Sequence, residues 1–283
     1  MTDTQTSGDT RARSILITGC SSGIGLACAR GMRDRGWMVM ATARTDDDLA
    51  MLKEESLNPI HLELRSPESI ARCVATALER TDGRLDALFN NAAYGQPGAV
   101  EDLTPDVLRA QFETNVFSWH DLTCRIVPSM RANGHGRIVQ CSSVLGFISP
   151  PWRGAYNASK HALEALSNAM RHELEGSGIQ VISIQPGPIE SRFVPNALDA
   201  VRANVDLENT PHRETYAARL ESMKAGGSTR FKLGPEAVLE KLVLAVESPN
   251  PRLTYKVTWP THFAAWAQRL LPERLAHRFI ANA

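Results

Sequence analysis

Tyr156 and Lys160 place a phenol and an ammonium four residues apart in the stretch Ala155-Tyr156-Asn157-Ala158-Ser159-Lys160. Leu163, Leu166, Met170 and Leu174 recur downstream at helical spacing, which puts both polar groups on one helix face. Such a pair can transfer protons. A free tyrosine has a pKa of about 10 and needs a nearby cation to work at neutral pH. Lowering that pKa by about three units takes roughly 4 kcal/mol, within reach of a close cation in a partly dehydrated cleft but not of an exposed pair. The same spacing also occurs on solvated helix faces, so the assignment rests on what the rest of the chain brings to the pair.

A second group with chemical potential is the turn Gly19-Cys20-Ser21-Ser22-Gly23-Ile24-Gly25. Its glycines let backbone approach a ligand, and the helix that follows offers unpaired N–H groups suited to a pyrophosphate. Its Gly-x-x-x-Gly-x-Gly spacing differs from the commoner Gly-x-Gly-x-x-Gly. Asn90-Asn91-Ala92-Ala93 and Ser142-Ser143 each follow an apolar run, where the carboxyl ends of buried strands bind ligands. Asn90 also reads as a structural turn residue, and Asn115 as either an inward polar group or an exposed one.

These groups need a scaffold, and the chain alternates strand and helix patterns to supply one. Strands are expected near 14–19, 37–44, 58–64, 85–93, 136–143, 180–185 and 253–259. Helices are expected over 23–35, 67–80, from Pro105 to Pro128, after Ala155, and over 235–246. Arg44, at the end of the second strand, stands where an acidic residue would hold a free ribose 2′-OH, and an arginine there suits a 2′-phosphate. The alternative is a surface pair with Asp46, Asp47 or Asp48. Residues 190–233 break the rhythm and read as a lid over the ligand edge. Trp152 reads equally as a pocket wall and as loop packing.

Composition bounds the function. With 283 residues, 43% hydrophobic, the chain suits one large α/β domain, and its zero net charge argues against nucleic acid as a partner. Five cysteines without metal-ligand spacing suit buried free thiols in a reducing compartment, so a cytoplasmic location and no metal are expected. Residues 1–13 are polar and read as a flexible N-terminus. No apolar run is long enough for a transmembrane segment. The tail from Trp259, with Phe263, Trp266, Leu270, Leu271, Leu275 and Phe279 among Arg269, Arg274 and Arg278, is basic and amphipathic. This 261–283 extension suits packing on the cleft, a partner subunit or the surface of a membrane.

Thr18-Gly19-x-x-x-Gly23-Ile24-Gly25, Asn90-Asn91-Ala92-Ala93, Asn115, Ser143, Tyr156-x-x-x-Lys160 and Pro186-Gly187 together resemble the short-chain dehydrogenase/reductase family over residues 14 to about 260. The wording around the first turn, Pro186-Gly187-Pro188-Ile189 and Leu233-Gly234-Pro235-Glu236 is similar to bacterial NADP-dependent aldehyde reductases and to retinol and 17β-hydroxysteroid dehydrogenases. The resemblance implies a single Rossmann-type domain, a doubly wound seven-stranded parallel sheet with helices on both faces and the lid inserted. It implies a tetrad of Asn115, Ser143, Tyr156 and Lys160, in which Tyr156 exchanges the carbonyl proton, Ser143 polarises the oxygen, Lys160 holds the ribose and lowers the Tyr156 pKa, and Asn115 fixes a water. Strand alternation and the thirteen-residue interval to Tyr156 pick Ser143 over Ser142.

The resemblance further assigns NADP(H) to Thr18, Gly19, Ser21, Ser22, Gly23, Ile24, Gly25, Arg44, Glu63, Leu64, Asn90, Ala92, Pro186, Gly187, Ile189 and Ser191, together with Tyr156 and Lys160. Leu145, Phe147, Trp152 and Phe193 are the expected substrate pocket. Glu63-Leu64, Ala93 and Ser191 depart from the usual Asp-Val, glycine and threonine. The implied activity is reversible NADPH-dependent reduction of an aldehyde or hydrophobic ketone by a homodimer or homotetramer, built through helices 105–127 and 155–175. The rivals are a dinucleotide sensor without catalysis, an oxidative retinol or hydroxysteroid dehydrogenase, and a sugar-nucleotide epimerase, which generally has a longer substrate domain.

Overall fold

A computed structural model of the chain describes residues 11–225 and 231–281, apart from the side chains of His277, Phe279 and Ala281. The side chain of the expected tail residue Phe279, the lid residues Gly226 and Gly227 and most of the N-terminus therefore lie outside what is described. Arg11 and Arg13 already belong to the fold. Arg11 pairs with Asp86 at 3.0 Å, and the Arg13 carbonyl accepts from Met38 N at 2.8 Å.

Seven parallel strands form one sheet in the order β3-β2-β1-β4-β5-β6-β7, comprising Ser14–Ile17 (β1), Met38–Ala43 (β2), Ile60–His61 (β3), Ala87–Asn90 (β4), Gly136–Cys141 (β5), Ile179–Gln185 (β6) and Thr254–Lys256 (β7). Because every pair is parallel, all carboxyl ends share one edge. The chain leaves β1 toward β2 on one side, and β4 lies on the other, which opens the crevice where such sheets bind ligands. Ile15, Leu16 and Ile17 are fully buried, so β1 reads as a continuous apolar run rather than an alternating one. Each such side chain contributes about 1.5–3 kcal/mol of burial.

Helices cover both faces. Gly23–Asp34 (α1) crosses Glu236–Glu247 (α9) so closely that a Cβ on Gly31 would sit 2.1 Å from Leu239 Cδ2. Pro67–Arg80 (α3) packs on Ser118–Ala132 (α5) on the other face. Asp46–Glu54 (α2), missing from the sequence reading, starts on a Thr45 N-cap with three aspartates in its first turn, a signal that was readable.

The expected helix from Pro105 to Pro128 is instead Pro105–Phe112 (α4), a π turn over Glu113–Phe117, and then α5. Nor does Pro128 end the helix. It sits on the exposed side, as does Cys124 one turn earlier, so the carbonyl deprived of its N–H partner faces water. Residues 190–233 contain two helices, Phe193–Asn204 (α7) and Arg213–Lys224 (α8), and Trp259 opens Trp259–Leu270 (α10) instead of closing a strand. Gly154–Glu173 (α6) and Glu273–Ala281 (α11) complete the helices. A small second core of Leu103, Ala155, Val201, Val205 and Tyr216 joins α7 and α8 to the start of α6.

Candidate active site

Tyr156 stands in the first turn of α6, half-buried, with Lys160 one turn on and 1% exposed. The Lys160 ammonium donates to the Cys141 carbonyl at 2.7 Å and lies 4.3 Å above the Trp119 ring and 5.6 Å from the Tyr156 ring centroid. Burial lowers its pKa to about 8. Ser143, at the end of β5, accepts from Leu145 N at 3.1 Å, and its hydroxyl bonds to Tyr156. Ser142 turns away toward Gly146, as strand alternation requires.

The expected low pKa of Tyr156 is not what the structure gives, because burial outweighs the charges around it. Burial raises that pKa, nearby Cys141 adds to the rise, and the Ser143 hydrogen bond and the Arg153 charge oppose it without prevailing. The ammonium is turned onto a carbonyl and is itself destabilised by burial, so it does not dominate the phenol. Tyr156 therefore keeps its proton at neutral pH and is arranged as a donor.

Asn115 is fully buried inside the π turn. Its Nδ2 donates to Tyr94 O at 2.9 Å and to Ser159 Oγ at 3.3 Å, while its Oδ1 accepts from Tyr94 N at 3.2 Å. The π turn swings this amide inward, a use of π bulges common at functional sites. Asn115 thus positions the Tyr94 segment and does not reach the cavity wall.

One cavity of about 1480 Å³ runs from the glycine turn past Tyr156 to α7, α8 and α10. Gly19, Ser21, Ser22, Gly23, Ile24 and Ala92 form its dinucleotide end. Gly19 has φ +73°, and a Cβ there would lie 2.8 Å from Ala92 Cβ, so the turn needs glycine. The Ser22 side chain makes no cap bond to α1, leaving that helix terminus to meet a phosphate. Arg44, Glu63 and Leu64 line the far end. The neighbour of Arg44 is Glu63, at 3.9 Å, rather than Asp46, Asp47 or Asp48, and its side chain is 70% exposed. Pro186, Gly187, Ile189 and Ser191 line the opposite wall. A glycine cradle, an uncapped helix terminus and an exposed arginine together fit a dinucleotide phosphate.

Several expected contacts act one layer back. Thr18 is fully buried, and its hydroxyl accepts from Asn91 N and Ala92 N at 2.8 and 2.9 Å, tying β1 to the end of β4. Asn90 is also fully buried, its Nδ2 donating to Thr123 and Gln140, both at 3.0 Å. Gly25 leaves room for the Gly19 carbonyl, which a Cβ would approach to 2.0 Å. Phe147 lies outside the wall and Ile148 takes its place, because the short 3-10 turn Val144–Gly146 rotates the chain. Leu145, Trp152 and Phe193 do line the cavity, and Phe193 packs 5.1 Å from the Tyr156 ring.

Asn91 stands in the expected motif but not among the expected cofactor contacts. Its Nδ2 donates to Thr18 O at 2.9 Å and bridges to Gly19 O, a role that its place beside Asn90 could have signalled. Arg153, Tyr216 and Arg219 also line the cavity, and no motif marked them. The C-terminal helices pack on the cleft, with Phe263, Ala267 and Ala276 in its wall and Trp259 and Trp266 exposed. The cysteines are free thiols, Cys141 with its pKa pushed up to about 11, but Cys124 is exposed rather than buried.

The short chain dehydrogenase family model matches residues 13–201, and the chain belongs to that family. It is an oxidoreductase by that membership. It is 40% identical to the uncharacterized oxidoreductase YbbO of Escherichia coli K12 over 273 residues, 96% of each chain. Among solved structures, it resembles an actinorhodin polyketide ketoreductase variant with NADPH, at 27% identity and TM-score 0.70, covering 87% of this chain and 95% of that one. It also resembles a short chain dehydrogenase/reductase from Burkholderia phymatum in complex with NAD, at 25% identity and TM-score 0.74, covering 91% of each.

Proposed function

We propose that this oxidoreductase uses NADPH to reduce an aldehyde or hydrophobic ketone to the alcohol, with Tyr156 as the proton donor. The observation that carries this reading is that Ser143, Tyr156 and Lys160 share the wall of one cavity with the glycine turn and Arg44. The bound nicotinamide supplies the hydride. Ser143 holds the carbonyl oxygen through its hydroxyl, and Tyr156 gives up the proton that its raised pKa retains. Lys160 keeps two N–H donors beyond its bond to Cys141 for the nicotinamide ribose, and its charge favours the phenolate left behind. Asn115, held on Tyr94, orders the route by which that phenolate is reprotonated from solvent.

Arg44 is the reason to favour the phosphorylated cofactor, since solved relatives carry either form. Within the expected lid, α7 and α8 form the body that covers the substrate end. The working form is a cytoplasmic homodimer or homotetramer, for which exposed Phe117 and Leu166 on the helical face supply apolar surface. Turnover of a panel of aldehydes, with NADPH and NADH compared at the nicotinamide absorbance, tests the reading. Activity is expected with NADPH. Tight NADPH binding without turnover of any aldehyde would instead make the protein a sensor.

A further inference from the structure

The chain carries no net charge, yet its cavity is electrically lopsided. Among the described residues, the only carboxylates in the wall are Asp48 and Glu63, both at the adenosine end, whereas the substrate end carries Arg153, Arg219 and Lys232. We propose that this end binds an oxyanionic group of the carbonyl substrate, a carboxylate, sulfonate or phosphate, on the guanidinium groups of Arg219 and Arg153. The inference rests on the reductase reading for the substrate being a carbonyl compound.

The cationic end is built rather than incidental. Arg219 Cζ lies 4.7 Å over the Trp152 ring. Two edge contacts fix that indole, from Tyr216 at 5.1 Å and His212 at 5.3 Å, and the Trp152 carbonyl accepts from Gly98 N at 3.0 Å. Trp152 is held at φ +69°, a conformation costly for a bulky residue and retained where the surroundings impose it. Tyr216 is locked in turn, its hydroxyl accepting from Ala99 N at 2.9 Å. Stacking engages only the face of the guanidinium and leaves its in-plane N–H fork for an anion.

Arg153, three residues before Tyr156, also faces the cavity. Among the described residues neither guanidinium has a carboxylate partner, because Glu101 pairs with His212 and Asp102 accepts from Thr210. The crowded wall lowers the pKa of both, and that of Arg219 further through the charge of Arg153. Two like charges at one end of a cavity repel each other, and an anion between them relieves that cost. The adjacent apolar wall of Val201, Leu220, Phe263 and Ala267 suits the rest of an amphipathic substrate.

The test compares kcat/KM for 4-carboxybenzaldehyde and its neutral methyl ester with NADPH, in the wild type, Arg219→Gln and the Arg153→Gln/Arg219→Gln double variant. One or two charge-assisted hydrogen bonds correspond to a preference of about 10–100-fold for the carboxylate. That ratio is expected to fall toward one in the variants and to be partly kept in Arg219→Lys. A wild-type ratio near one, or a preference that survives in the double variant, overturns the proposal. Calorimetric titration of NADP-loaded protein with 4-(hydroxymethyl)benzoate and its methyl ester separates the two readings. If neither aldehyde turns over but the carboxylate alone binds, the anion site stands and the reductase reading falls; equal binding of acid and ester overturns the anion site.

Discussion

At the dinucleotide end the cavity wall is built around the glycine turn and the uncapped start of α1, whereas at the substrate end it is drawn from α7, α8 and α10. The first is anchored by short contacts to the sheet, such as Thr18 Oγ1 to Asn91 N at 2.8 Å and Cys20 N to Thr42 O at 2.8 Å. The second hangs on a small separate core and on rings packed edge to face. A site made of backbone tolerates few residue types at fixed spacings. A wall of side chains can be relined without disturbing the sheet. Tyr156 and Ser143 sit at the seam, so one end can specify the cofactor while the other varies the substrate.

The largest expected effect lies at the seam itself. Tyr156→Phe should lower kcat for reduction by about 10²–10⁴-fold, the usual worth of a positioned proton donor, while the NADPH Kd measured by fluorescence titration stays within about threefold. An active mutant would break the division into ends, because the proton would have to come from elsewhere. Next in size, Arg44→Asp should shift the ratio of kcat/KM for NADPH over NADH by about 10–100-fold toward NADH, with KM for the aldehyde unmoved. A change in the aldehyde KM instead would show that the two ends are coupled.

The pH dependence sharpens the seam. Lys160 titrates at about 8, below its ordinary value, so it is charged below that pH and neutral above it. Reduction should therefore be level below pH 8 and fall about tenfold per unit beyond it, as both the charge that favours the phenolate and the ribose donor are lost. A kcat profile flat to pH 10 would remove Lys160 from the step. The smallest effect belongs to the substrate wall. Trp152→Ala should raise the KM for an aromatic aldehyde by about 3–10-fold and leave the NADPH Kd unchanged.

Legibility in the sequence followed the same division. Gly19, Gly23, Ser143, Tyr156 and Lys160 were readable because backbone approach and proton transfer accept few alternatives. All five line the cavity. Thr18 and Asn90 were readable as important but not as buried ties, since a polar residue at a strand end looks the same facing a ligand or a neighbouring strand. The π turn around Asn115 left no mark, for one extra residue in a helical turn barely alters the apolar periodicity. Arg219 lay in a polar stretch where its guanidinium resembled any solvated one.

What the sequence determined by itself was the alternating pattern of buried strands and amphipathic helices, and with it the parallel sheet whose carboxyl edge gathers the site. Local periodicity and turn chemistry suffice for that, because they depend on neighbours along the chain. Only the tertiary structure decided that burial raises the Tyr156 pKa although Lys160 is one turn away, and that Arg153 and Arg219 line one cavity with no carboxylate partner among the described residues. Desolvation and charge pairing depend on which distant residues close around a group, and sequence spacing does not record that.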